Sequence, residues 1–130
     1  MIIGFDTGFF VELLRGNLEV LKVWKELIEQ ETEAIVSCLS LFELERLGLK
    51  GAIEKADVLV ESISQVCKIM WLTPNNLSMA AKLSHGLGIP SIDSLILSGL
   101  LSGDAKIIYT TDSHIERYKK KGMTIKNIRS

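Results

Sequence analysis

A chain of 130 residues and 14.4 kDa has room for one packed core, so residues 1–130 are expected to form a single domain. Fifteen Lys and Arg against sixteen Asp and Glu leave a net charge of -1, which excludes the strongly basic balance of a dedicated nucleic-acid tail. No apolar run approaches the roughly 18 residues of a membrane span, and the opening Met-Ile-Ile-Gly-Phe-Asp lacks the basic region and cleavage site of a secretory leader, so a cytoplasmic protein is expected.

Short apolar runs alternate with amphipathic stretches along the whole chain. That pattern of βα units predicts a three-layer α/β/α fold around a mainly parallel, five-stranded sheet. A first strand over residues 2–5 leads into a helix over 7–14 that stops at Gly16. Asn17 caps a second helix, with Val20, Trp24, Leu27 and Ile28 on one side and Lys22, Lys25, Glu26 and Glu29 on the other. A second strand over 34–38 passes through Ser40 into a helix that ends between Gly48 and Gly51; the next helix follows at once with an apolar stripe of Ile53, Ala56, Val60, Ile63 and Cys67. Then come a strand over 68–72, the Thr73-Pro74 break, a helix over 75–86, the Gly88-Ile89-Pro90 turn and a helix over 91–101. A fourth strand over 105–110, a last helix over 113–121 and an edge strand over 123–128 complete the chain.

Several chemistries are excluded or unsupported. Gly86-x-Gly88 follows a helix rather than a strand, and no Walker lysine motif is present, so neither common nucleotide-binding loop is expected. Cys38 and Cys67 lie in apolar runs and read as buried free thiols. Phe9, Phe10, Trp24, Phe42 and Trp71 fall in apolar patterns and are expected in the core, with Tyr118 exposed. Residues 1–103 hold 8 bases and 13 acids and residues 104–130 hold 7 and 3, so the chain is polarised. A hydrophobic content of 47% with mean hydropathy +0.26 predicts apolar surface covered by another chain, as in an oligomer or a complex.

Four acids stand apart from the solvated helix faces: Asp6, Glu43, Asp93 and Asp112 each lie at the start of a predicted helix. Singly, each has a structural explanation. Ser40-Leu-Phe-Glu43 matches a capping box, Asp6 and Asp112 match N-caps, and Asp93 suits the positive end of its helix. Jointly they point elsewhere, because the carboxyl ends of parallel strands share one edge, where ligands bind. Two carboxylates 4 Å apart at an effective dielectric near 20 repel by about 4 kcal/mol, and a divalent cation is the natural compensation. Oxygen donors alone select Mg²⁺ or Mn²⁺, ions suited to phosphodiester hydrolysis. Arg15, Arg46, Lys82 and the bases within residues 117–121, Lys119 among them, are candidates to hold the phosphate chain.

In order and spacing, Ile2-Ile3-Gly4-Phe5-Asp6-Thr7, Ser40-Leu41-Phe42-Glu43-Leu44, Gly88-Ile89-Pro90-Ser91-Ile92-Asp93-Ser94-Leu95-Ile96 and Ile107-Ile108-Tyr109-Thr110-Thr111-Asp112 resemble the four acid-bearing segments of the PIN domain, and most closely its single-domain VapC-type toxins. The resemblance implies a Mg²⁺- or Mn²⁺-dependent endoribonuclease with Asp6, Glu43, Asp93 and Asp112 as catalytic, metal-binding acids and Thr110 as a supporting hydroxyl. It also implies a homodimer and a small antitoxin protein as partner. Three positions depart from it or stand outside it. Gly8 replaces the Ser or Asn often found two residues after the first acid, with the loss of one hydrogen bond to the site. His114 replaces an acid or lysine, and reads as an exposed residue or a contact to substrate phosphate. His85 suits a helix C-terminus. Gly8 leaves open a second reading, a non-catalytic PIN-like module that binds RNA or protein. A phosphoacceptor domain would need a Lys at the carboxyl end of a late strand, and Lys106 lies at the wrong end.

Overall fold

The computed structural model describes residues 1–129. Five strands, β1 (Ile2–Phe5), β2 (Glu33–Ser37), β3 (Lys68–Met70), β4 (Ile107–Thr110) and β5 (Thr124–Asn127), form one sheet in the order β3-β2-β1-β4-β5. Every pairing is parallel. Six helices accompany it: α1 (Thr7–Leu14), α2 (Leu18–Glu29), α3 (Cys38–Leu49), α4 (Ala56–Val66), α5 (Pro74–Leu87) and α6 (Ser91–Ser102).

The period of two along each strand sorts its side chains between two cores. On one face Phe5, Ala34, Val36 and Tyr109 pack with Phe9, Phe10, Val20, Leu27, Leu44, Leu59 and Ile63 of α1 to α4. On the other, Ile35 and Ile108 pack with Leu83 of α5 and Ile96, Leu97 and Leu100 of α6. Burial on both sides explains why the central strands read as continuous apolar runs. β1 lies between β2 and β4. The chain winds from β1 outward to β3 and then returns to the other side of β1, so the strand order reverses between β1 and β4. Such a reversal opens a crevice at the carboxyl ends of the two strands.

Local signals set most boundaries. Asn17 Oδ1 accepts from Glu19 N–H and Val20 N–H and starts α2. Thr73 and Asn76 form a reciprocal capping box at the start of α5, which ends at Gly88 with φ 67°, a conformation that favours glycine. α6 then runs back to the amino edge, where Ala105 leads into β4, and so its first turn, with Asp93, lies at the carboxyl edge.

Several expectations need correction. The helix over 113–121 is a single 3₁₀ turn, Ile115–Arg117: Ile115 and Tyr118 are its only apolar residues, and three consecutive lysines repel one another. The third helix begins at Cys38 with Ser37 as its N-cap, so Ser40 and Glu43 form no capping box. α4 starts at Ala56, leaving Ile53 in the preceding turn, where it still packs on the core. Phe42 and Trp71 are 61% and 67% exposed rather than in the core, Phe42 because α3 buries its Ser40 and Leu44 side, Trp71 because it follows the edge strand β3. Tyr118 is half-buried against the α5–α6 core. Both cysteines are free; Cys38 is half-buried, and burial pushes the Cys67 thiol up to about 12. Among the described residues no helix is long and apolar enough to cross a membrane.

Candidate metal centre

Asp6 follows β1 directly and is the N-cap of α1. Its Oδ1 accepts from Phe9 N–H at 3.1 Å, and its Oδ2 accepts from the hydroxyl of Thr110 at the end of β4. The same Thr110 Oγ1 accepts from the backbone N–H of Asp112 at 2.9 Å. One fully buried hydroxyl thus ties the first acid to the fourth across the strand-order reversal. Glu43 lies in the second turn of α3, where its Oε1 accepts from Thr7 Oγ1 at 2.6 Å; that hydroxyl also stands 3.0 Å from Ser40 Oγ. Asp112 Oδ1 accepts from the backbone N–H of His114 at 2.8 Å and lies 2.9 Å from its ring Nδ1. Asp93, Asp112 and His114 offer ligand atoms that all lie within 4.8 Å of one another.

Electrostatics tie the four acids into one group. Burial pushes the Asp6 carboxyl up to about 6 against the hydrogen bonds from Thr110 and from the Phe9 and Thr111 backbone, and the charge of Asp112 adds to the rise. Burial also pushes Asp93 up to about 7, helped by its hydrogen bond with Asp112 and by the negative charges of Asp112, Glu43 and Asp6. Burial acts to raise Asp112 too, but hydrogen bonds from Asp93 and His114 outweigh it and hold Asp112 below its ordinary value. The two carboxyls are thus pushed apart, Asp93 toward the protonated form and Asp112 toward the ionised one. Among the described residues, the ion pairs that involve Lys or Arg are Arg15–Glu12 and Lys25–Glu29, so none of the four acids has such a partner. The donor set of clustered carboxylate oxygens, short of positive charge, fits a hard divalent cation.

The predicted phosphate-binding residues do not form one patch. Lys82 and Lys119 line a shared surface groove with Arg117. Arg46 is exposed one turn beyond Glu43 on α3. Arg15 is exposed at the end of α1, paired with Glu12 at 3.6 Å. Arg117 also braces the backbone, since its guanidinium donates to the carbonyls of Leu87 and Gly88 and fastens the segment after Asp112 to the turn before Asp93. His85 is exposed in the last turn of α5, where a base suits the helix end.

Gly8 has a specific reason. A Cβ at this position would lie 1.7 Å from Thr111 Oγ1 and 2.9 Å from Thr111 Cβ. The Thr111 side chain occupies the space that a Ser or Asn at position 8 would need. Gly8→Ser is therefore expected to cost roughly 1–3 kcal/mol through overpacking, read as a lower urea midpoint, with Gly8→Ser/Thr111→Gly recovering most of it.

Sequence reasoning assigned no role to the Thr7 hydroxyl or the Thr111 side chain. The Asp6-Thr7 pair at a strand end was a usable signal for the first; nothing local announces the second, because it depends on the packing of β4 beside α1.

Comparison with known proteins agrees with this architecture. VapBC2 from Rickettsia felis, solved bound to a DNA fragment from its promoter, superposes with a TM-score of 0.75 at 18% identity, over 98% of both chains. VapBC-1 from nontypeable Haemophilus influenzae gives 0.74 at 17% over 98% of both. A toxin-antitoxin complex from Klebsiella pneumoniae gives 0.73 at 14%, over 98% of this chain and 99% of that one. No curated protein sequence matches the chain. The family model of the PIN domain matches residues 3–121, and the chain belongs to that family.

Proposed function

We propose that the protein is a Mg²⁺- or Mn²⁺-dependent endoribonuclease, the toxin of a toxin-antitoxin pair, with Asp6, Glu43, Asp93 and Asp112 as its metal-binding, catalytic acids. The observation that carries this reading is the meeting of four acids at the strand-order reversal with no Lys or Arg paired to them among the described residues. Membership of a family whose domains are generally nucleases supports it. When bound, a divalent ion supplies an activated water and stabilises charge on a phosphoryl oxygen.

The chain's own residues hold the acids in place for that chemistry. Thr110 fixes Asp6 and the Asp112 backbone together, Thr7 orients Glu43, and the backbone N–H of His114 orients Asp112. Lys82 and Lys119 in their groove, with Arg46 and Arg15, offer positive charge to an RNA backbone. The neighbour from Klebsiella pneumoniae is a toxin-antitoxin complex, and those from Rickettsia felis and Haemophilus influenzae are VapBC2 and VapBC-1, which supports a small antitoxin as partner. Exposed apolar residues such as Leu18, Leu49 and Trp71 would be covered by that partner or by a second copy in a homodimer. Gly8 no longer favours a non-catalytic module, because Thr111 accounts for it.

Purified protein is expected to cut RNA with Mn²⁺, to stop in EDTA, and to slow by about 10²-fold or more in Asp6→Asn and Asp112→Asn. Gel analysis of a labelled RNA checks this. Cleavage that persists at the wild-type rate in both variants would contradict the proposal.

A further inference from the structure

His114 is the nitrogen donor beside the acids. Its backbone N–H donates to Asp112 Oδ1 at 2.8 Å, and this tight turn brings the ring back over the same carboxylate, with Nδ1 2.9 Å from Oδ1. The next residue, Ile115, is fully buried, while 43% of the His114 side chain remains exposed. Asp93 joins the pair, with one ligand atom from each of the three residues within 4.8 Å of the others. Adjacent donors on an octahedral ion with bonds of about 2.1 Å are about 3 Å apart. The spacing between Nδ1 and Oδ1 is of that size, so the ring reaches a shared cation without rebuilding the turn.

We propose that His114 is a nitrogen ligand of the cation held by Asp93 and Asp112, and that it tilts the site from Mg²⁺ toward Mn²⁺ and the later first-row divalent ions. The proposal rests on the metal-dependent reading given above. Mg²⁺ is hard and holds oxygen donors and water in preference to anything else, whereas an imidazole nitrogen is a borderline donor that binds more tightly along the first transition row. Four carboxylates alone would carry a weaker preference of this kind. The competing arrangement leaves Nδ1 as a hydrogen-bond donor that orients Asp112 from outside the coordination sphere. The two arrangements differ in one observable, a direct bond between metal and nitrogen.

The test loads the full-length wild type and His114→Asn with Mn²⁺ near neutral pH, records pulsed electron paramagnetic resonance spectra, and measures Mn²⁺ and Mg²⁺ affinities by calorimetry. Asn keeps a polar side chain facing Asp112 but has no ring nitrogen. In the wild type the spectrum is expected to contain the nitrogen hyperfine coupling of a directly bound imidazole, absent from the variant. The ratio of Mn²⁺ to Mg²⁺ affinity is expected to fall about tenfold in the variant, mostly through Mn²⁺. The wild-type spectrum decides the question even if the variant fails to fold. Mn²⁺ bound by the wild type without nitrogen coupling overturns the ligand role and leaves the acid site standing. A wild type that binds neither ion overturns the acid site and the ligand role together.

Discussion

Asp93→Asn is expected to stabilise the metal-free protein at pH 8 by on the order of 1–2 kcal/mol, about 3–6 °C in melting temperature, while stopping RNA cleavage. Burial and three neighbouring carboxylates raise Asp93 from 3.8 to about 7. A raised carboxyl contributes stability that is complete below its unfolded value and is lost as pH rises through its folded one. The metal-free wild type should therefore weaken between about pH 4 and pH 7, a window read from those two values. The undiscounted shift would amount to about 4 kcal/mol; solvent screening of a half-exposed group reduces it to the range given. Asp6, raised to about 6, acts in the same direction, whereas Asp112, which is lowered, adds stability that disappears only on acidification. Melting scans in EDTA at pH 5 and pH 8 check the sign. Asp57→Asn, on an exposed acid of α4, should show none of this gain. A variant less stable than the wild type at both pH values would contradict the electrostatic account.

Thr110→Val should have the largest effect among residues outside the acids. Valine keeps the shape and removes the one hydroxyl that donates to Asp6 and accepts from the Asp112 N–H. A buried carboxylate and a half-buried N–H then lose a partner, the buried one at a cost of roughly 1–3 kcal/mol, and two acids lose their shared anchor. Cleavage is expected to fall about 10²-fold, since small displacements of positioned groups cost that much. Thr110→Ser keeps the hydroxyl and should retain most of the stability and rate. Urea midpoints and cleavage rates for the two variants settle the comparison; a valine variant with wild-type rates would remove Thr110 from the site.

The sequence made the frame of the site legible because that frame depends on local rules. Apolar runs at Ile2–Phe5, Glu33–Ser37 and Ile107–Thr110 carry enough β-branched residues to be read as buried strands, and the acids that follow them then share an edge by topology. Ser37 was harder to read than Ser40, since both precede a helical run and only the chosen N-cap separates a capping Glu43 from one free to face the crevice. The helix expected over 113–121 is instead a single 3₁₀ turn. The turn closed by Asp112 and His114 uses side-chain hydrogen bonding that competes with helix formation. Phe42 shows the limit of periodicity: it neighbours half-buried Leu41, and only the rotation of α3 on the sheet turns it outward. Contacts such as Thr111 against Gly8 join residues 103 positions apart, beyond any pattern within one segment.

The central claim, that crowded acids at the strand-order reversal await a divalent cation, is tested most directly by counting protons released on Mn²⁺ binding. A proton that burial and the neighbouring charges favour on Asp93 must leave when a cation takes its place. Calorimetric titration slightly below neutral pH, repeated in buffers of different ionisation enthalpy, reports that number. The account predicts saturable binding with release approaching ~1 proton per ion, and loss of both in Asp93→Asn. Mn²⁺ binding with no proton released, or binding unchanged in Asp93→Asn, would contradict it.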